Sequence, residues 1–387
     1  LRTTCHKLAA LSLWERVAEG RVRVLSRRRS LGKIPSRVAC EKAGSTMKKN
    51  SFRLRLFIML GCVLAIGILT FSAITFHPPF GAWKRLSAAP VISPRGRGFE
   101  SAGTFNPAVI KRGDEIVMLY RAQDHRGTST LGYATSRDGL HFTRRSRPVF
   151  YPQAPYEKGG GTEDPRLVRF GSTYYLTYTG YNNVDGKGPD GKDAQLCLAT
   201  STDLIHWVRH GVIMPAYKGK WNVGWTKSGA IVPEKINGKY WMYYLGDARG
   251  QPSQMGVAES SDLLHWTDAL DHPVLASRPG RFDSRVAEPG PPPVVIPQGI
   301  LLIYNGAGDH LVYSTGWALF DRHDPTRVLA RAETPIFGPQ KNWEKVGQVP
   351  NVVFVEGLVR MGPRWLFYYG GADKYVGVAA ARSLDAK

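Results

Sequence analysis

From Thr104 onward, apolar residues show no helical spacing over any long stretch. Short β-branched and aromatic runs alternate instead with Gly, Asp and Asn turns, at Glu115–Arg121, Thr173–Tyr178, Lys239–Leu245, Ile300–Tyr304 and Arg364–Tyr369. Another short apolar run and a polar turn precede each, at Val109–Gly113, Leu167–Gly171, Ile231–Gly238, Val294–Gly299 and Leu358–Pro363. A second motif repeats in the same frame. Ser136-Arg137-Asp138-Gly139-Leu140-His141-Phe142 returns as Ser201-Thr202-Asp203-Leu204-Ile205-His206-Trp207 and as Ser260-Ser261-Asp262-Leu263-Leu264-His265-Trp266, 65 and 59 residues apart. Five hairpins at that interval predict an all-β chain, a five-bladed β-propeller over residues 98–387. Equivalent positions on successive blades lie far apart, so the three histidines are not expected to share an ion. Each Asp is expected to close an Asx-type turn, and each aromatic ring to pack an outer strand.

Upstream of the repeats the pattern changes. Residues 1–46 are Arg-rich and offer no apolar period that a core could use, so they are read as an upstream leader. From Met47, the cations Lys48, Lys49, Arg53 and Arg55 precede an uncharged, mostly apolar stretch of 21 residues from Leu56 to Phe76. That stretch is long enough to span a bilayer, and 47–76 is read as a signal peptide or a transmembrane anchor. The flanking charges place the body outside the cytoplasm, periplasmic or secreted, and tied to the inner membrane if the segment is uncleaved. Proline-rich 77–97 is read as a linker.

Charge matters once it is located. The 387 residues carry 52 Lys+Arg against 31 Asp+Glu, a formal net charge of +21. Residues 1–55 hold 15 basic and 3 acidic residues, so +12 lies there and only +9 is spread over the other 332. The overall basicity therefore does not imply nucleic-acid binding. Apolar content of 43% with 11% aromatics excludes a disordered chain. Cys5, Cys40 and Cys62 precede the repeats and leave Cys197 alone in the body, too few for a disulfide framework or a cysteine zinc site. Cys197 sits in an apolar run and is expected to be a buried, inert thiol. No His, Asp and Glu cluster has ligand spacing, so neither metal nor cofactor is expected.

The innermost strand of each propeller blade lines a central channel. Five neighbourhoods place polar residues there: Phe105-Asn106-Pro107, Glu163-Asp164-Pro165-Arg166, Thr226-Lys227-Ser228-Gly229, Glu288-Pro289-Gly290-Pro291-Pro292, and Pro350-Asn351 with Glu356 further on. The strands that follow end in Arg121, Asp247, Asn305 and Asp373. Packing does not explain so many polar groups, because burying charge is costly unless it is paired or used. Carboxylates near Trp and Tyr suit glycosidic cleavage: the acids move protons and the aromatic faces stack on sugar rings.

Taken together, Gly161-Thr162-Glu163-Asp164-Pro165-Arg166, Pro233–Tyr240, Pro289-Gly290-Pro291-Pro292 and Tyr368-Tyr369-Gly370-Gly371-Ala372-Asp373 resemble glycoside hydrolase family 130 from about Gly98 to Ala380. That family comprises β-mannoside phosphorylases and hydrolases on a five-bladed propeller. The resemblance implies that Asp164 is the general acid, protonating the glycosidic oxygen directly or through a hydroxyl of the sugar. It implies that Asn106, Arg121 and Asp373 hold the mannose beside the scissile bond, and Glu163 belongs to the same motif as the acid. Arg166 and Lys227 resemble two of the cations with which the phosphorylases hold phosphate. The other Arg and the His of that set are expected near Gln195 and Asn305, where neutral amides stand.

Asp247 and Glu288 resemble the carboxylate pair of the hydrolytic branch, although Asp247 also reads as a turn aspartate. Two anions repel phosphate yet can deprotonate a water. Inverting hydrolysis of β-mannosides, mannobiose or manno-oligosaccharides, is therefore expected, with Asp164 as acid and Glu288 with Asp247 as base. Three alternatives stand beside it: a β-mannoside phosphorylase releasing mannose 1-phosphate, a furanoside-active propeller, and a non-catalytic glycan-binding propeller.

Overall fold

Each expected hairpin forms in the computed structural model, which describes residues 76–384 apart from positions 189, 218, 220, 249 and 250. The leader and the apolar stretch up to residue 75 lie outside the described residues. The hairpins pair Gly103–Arg112 with Glu115–Gln123, Gly159–Phe170 with Thr173–Asn182, and Thr226–Ile231 with Tyr240–Gly246. Val286–Pro289 and Val294–Ile296 both pair with Gly299–Ala307, and Val353–Met361 pairs with Arg364–Gly371. The turns suit their geometry: Asn237 and Gly238 take φ of 51° and 78°, the left-handed pair that a tight hairpin turn requires.

Later strands continue antiparallel, so the described residues hold five meanders. The first four add Ser129–Ser136, Asp193–Ser201, Gln254–Ser260 and Tyr313–Phe320. Ser129 and Gly161 form a single parallel pair that joins the first meander to the second. The described residues are thus all-β, as their pattern predicts, and their one α-helix is the four-residue turn Asn342–Lys345. No helix among those residues is long and apolar enough to cross a membrane.

The fifth meander corrects the linker expected at 77–97. Lys84–Arg85 pairs with Tyr375–Arg382 and so completes the last sheet from the opposite end of the chain. Trp83 stacks on Phe367 with ring centroids 3.2 Å apart, and Phe80 and Ile92 are buried. The prolines suggest a spacer; these three apolar side chains are what anchor it.

Packing runs from each meander to the next. Ala108, Val117 and Leu119 share a cluster with Leu167, Leu176 and Tyr178, joining first to second. Leu196 and Leu198 meet Met242 and Tyr244, and Tyr243 and Val257 meet Leu302 and Phe320. Ala307 and Tyr313 meet Val352 and Phe354, and Leu366 and Val378 return to Met118 and Ala134 of the first. The repeated Ser-Asp-His motif forms turns, as expected. Asp138, Asp203 and Asp262 each accept backbone N–H groups two and three residues on, and each pairs with its own exposed histidine.

Candidate active site

One backbone device recurs in the first strands. Pairing slips between Phe105 and Pro107, Glu163 and Arg166, Lys227 and Ala230, and Val355 and Gly357. Each slip is a β-bulge, which turns a side chain out of the sheet's regular alternation. Asn106, Asp164 and Ser228 occupy these bulges at φ of 47°, 51° and 60°, and Glu356 occupies the fourth. Pro107 and Pro165 follow two of them; having no N–H, they leave no ladder donor unpaired where the pairing breaks. Left-handed non-glycine residues cost energy and concentrate where side-chain placement matters. Gly370 makes room: a Cβ there would come within 2.3 Å of Asn106 Oδ1.

The four bulges, together with Glu288 of the fourth meander, bring polar groups of the meanders to one place. Asn106 Nδ2 donates to Asp164 Oδ1 at 2.8 Å, and Arg121 Nη1 donates to the same oxygen at 3.1 Å. Arg121 Nη2 donates to Glu163 Oε1 at 2.6 Å, while Phe105 supports the guanidinium from below at 4.6 Å. Lys227 Nζ lies 3.5 Å from Glu163 and 4.0 Å from Asp164, near the ring of Trp225. Ser228 Oγ donates to Glu288 Oε1. Asp373 is buried at φ 50°, with its carbonyl accepting from Gln348 Nε2 at 2.6 Å. Asn106 Oδ1 is buried with no hydrogen-bond partner. An unused acceptor beside a carboxylate is suited to a ligand hydroxyl.

Burial pushes the Asp164 carboxyl up, but Arg121, Lys227 and the Asn106 amide outweigh it and hold it at about 2. Asp373 goes the other way: burial outweighs Arg121 and raises it to about 7. Burial also raises Glu288 and lifts Glu356 well above the usual carboxylate range, against the pull of Arg166 on both. The centre therefore pairs one strongly ionised acid with neighbours whose carboxyls burial pushes toward the protonated form.

Two expected ligand-facing residues do other work. Arg166 is 1% exposed, and its guanidinium is spent on Asp164 O, Pro289 O, Gly290 O and Glu356. Asn305 is fully buried and bridges backbone: Nδ2 donates to Val355 O at 2.9 Å, and Oδ1 accepts from Val355 N at 2.9 Å and from Thr315 Oγ1 at 3.2 Å. Removing that bridge leaves buried groups unpaired, so Asn305→Ala is expected to cost on the order of 2–4 kcal/mol, read as a lower Tm. An unchanged Tm would remove the bridging role.

Gln195 bonds Asp193 and Ala216 N, lining a cavity of about 520 Å³ with Tyr156 and Asn182. Asp247 is buried and accepts from Ser253 Oγ at 3.4 Å, while Ser253 O accepts from Ala287 N next to Glu288. Cys197 is buried and burial raises its thiol, which fits the inert thiol expected. In the sequence Ser228 differs from Asn106 and Asp164 in being followed by Gly229, not by a proline, so no local signal marks it as a bulge residue.

The family model for β-1,4-mannooligosaccharide phosphorylase, glycoside hydrolase family 130, matches residues 91–385. The chain belongs to glycoside hydrolase family 130. Among curated members, 1,2-β-oligomannan phosphorylase of Thermoanaerobacter sp. (strain X514) is 38% identical over 79% of this chain and 98% of its own. β-1,2-Mannobiose phosphorylase of the same organism is 35% identical over 78% and 98%. A solved family 130 structure is 38% identical with a TM-score of 0.71, covering 81% of this chain and 97% of its own. It is described with the statement that this family of mannoside phosphorylases contains glycoside hydrolases that target β-1,2 mannosidic linkages in Candida mannan.

Proposed function

We propose that this family 130 chain cleaves β-mannosidic linkages, β-1,2 linkages first, where its five first strands meet. The observation that carries the reading is Asp164, a buried carboxylate on a left-handed bulge, held by Asn106 and Arg121. Packing of each meander on the next, and of the fifth on the first, supports five blades of one propeller around that centre. The apolar Leu56–Phe76 stretch supports a body acting outside the cytoplasm.

Asp164 at about 2 is ionised in the resting protein, so it acquires its proton when substrate binds. A sugar filling the site strips the remaining water and pushes the carboxyl up. Asp373, at about 7 and under the same Arg121 charge, is the nearby source. Asp164 then passes the proton to the glycosidic oxygen, directly or through a sugar hydroxyl.

The two curated relatives support inorganic phosphate as the attacking group, and they support it better than the water expected from the sequence. Water stands as the second reading on one observation. Arg121 and Lys227 already face carboxylates, Arg166 is spent on backbone and Glu356, and neutral Gln195 and Asn305 add no charge. The solved relative is consistent with that reading as well. On the hydrolytic reading Glu288, oriented by Ser228, is the base, with Asp247 behind it. Incubating the protein with β-1,2-mannobiose, with and without inorganic phosphate, separates the two. Mannose 1-phosphate formed only with phosphate is the expected outcome. Free mannose at a phosphate-independent rate establishes hydrolysis, and no cleavage of any β-mannoside overturns the proposal.

A further inference from the structure

We propose that Arg166 and Glu356 form a buried brace that sets the spacing between the Asp164 acid and Glu288, acting as positioning residues that touch no substrate. The inference rests on the proposed β-mannoside cleavage. Its basis is how a single guanidinium is spent. Arg166 Nη1 donates to Asp164 O at 3.0 Å, closing the bulge that presents the acid. On the other side Nη2 donates to Pro289 O at 2.7 Å and Nε to Gly290 O at 3.0 Å, the two residues after Glu288. One planar group thus ties the backbone that carries the acid to the backbone that carries Glu288, across more than 120 residues of chain.

Glu356 completes the brace from the fifth meander. Its Oε1 lies 2.6 Å from Arg166 Nη1, and neither carboxyl oxygen makes a hydrogen bond of good geometry. With both side chains at most 1% exposed, the pair has no access to solvent or to a sugar. Phe354 lies 5.9 Å from the guanidinium carbon on the same strand as Glu356. Arginine suits this place because its fork holds several acceptors in fixed directions; a lysine offers one point charge. Displacement at a sugar carbon depends on where the acid stands relative to the attacking group, and small misplacements cost rate more than affinity.

Arg166→Lys and Glu356→Gln test the brace, with β-1,2-mannobiose as substrate and both kcat and KM measured. Arg166→Lys is expected to lower kcat about 100-fold and to leave KM within about threefold. Glu356→Gln keeps the volume and is expected to lower kcat about tenfold, again without a change in KM. A raised KM for mannobiose or phosphate with kcat unchanged would make Arg166 a binding residue and overturn the brace. So would wild-type kcat in both folded variants. If the wild-type protein cleaves no β-mannoside, the proposed function fails, and crystal structures of the two variants decide the brace alone. Asp164 leaving the left-handed region supports it, and an unmoved bulge overturns it.

Discussion

Asp164→Asn is expected to lower kcat on β-1,2-mannobiose by about 10²–10⁴-fold, the range that a positioned general acid contributes. The substitution preserves shape and keeps an oxygen for Asn106 Nδ2 and Arg121 Nη1, so the bulge and the ion pair from Arg121 to Glu163 should survive. What it removes is the group that can carry a proton to the leaving oxygen. The diagnostic is a substrate that needs no such help. On a dinitrophenyl β-mannoside, whose leaving group departs as a stable anion, Asp164→Asn should recover most of the wild-type rate. Equal losses on both substrates would mean that Asp164 holds the sugar and does not protonate it. An unchanged rate on mannobiose would move the acid to another carboxyl, with Glu288 the next candidate.

How much of this was legible in the chain depends on how local the cause is. The hairpins could be read because strand periodicity and turn residues are local: the expected Thr173–Tyr178 lies wholly within Thr173–Asn182, and Asn237-Gly238 turns where it should. The polar centre could be read too, since Asp164, Lys227 and Glu288 stand where first strands would otherwise be apolar. Which of those groups face a ligand was not legible. Arg166 looks like a phosphate clamp until the carbonyls of Pro289 and Gly290 are found beside it. Asn305 looks like a replaced histidine until Val355, 50 residues on, takes up both of its amide atoms. Ser228 stands in the sequence only as one polar residue of Thr226-Lys227-Ser228-Gly229, and it is the left-handed bulge that aims it at Glu288. Long-range partners decided each of these cases, and a single sequence carries no record of them.

Activity is also expected to fall as pH rises through about 7, and the fall should trace to Asp373. Five carboxyls, on Glu163, Asp164, Glu288, Glu356 and Asp373, share the buried centre with three cations, Arg121, Arg166 and Lys227. Two more acids than bases cannot all be ionised away from water, so the surplus is met by retained protons. Asp373 at about 7 is the one that gives up its proton near neutrality. Its carboxyl is raised from 3.8, so the stability it contributes is complete below about 3.8 and is lost progressively as pH rises to about 7. In the wild type, kcat/KM on mannobiose should show a basic limb near 7, and Tm should drop between mildly acidic and mildly basic buffer. In Asp373→Asn the absolute rate is expected to fall, because the family resemblance implies that Asp373 holds the sugar, yet the basic limb should disappear and the Tm should vary less with pH. A basic limb unchanged in the variant would assign the proton elsewhere. The same surplus of acid bears on the nucleophile: a phosphate dianion adds charge to a centre already rich in it, so it enters with proton uptake. If phosphate attacks, its KM should therefore climb with pH above 7, while a water-using site would show the basic limb at every phosphate concentration, including none.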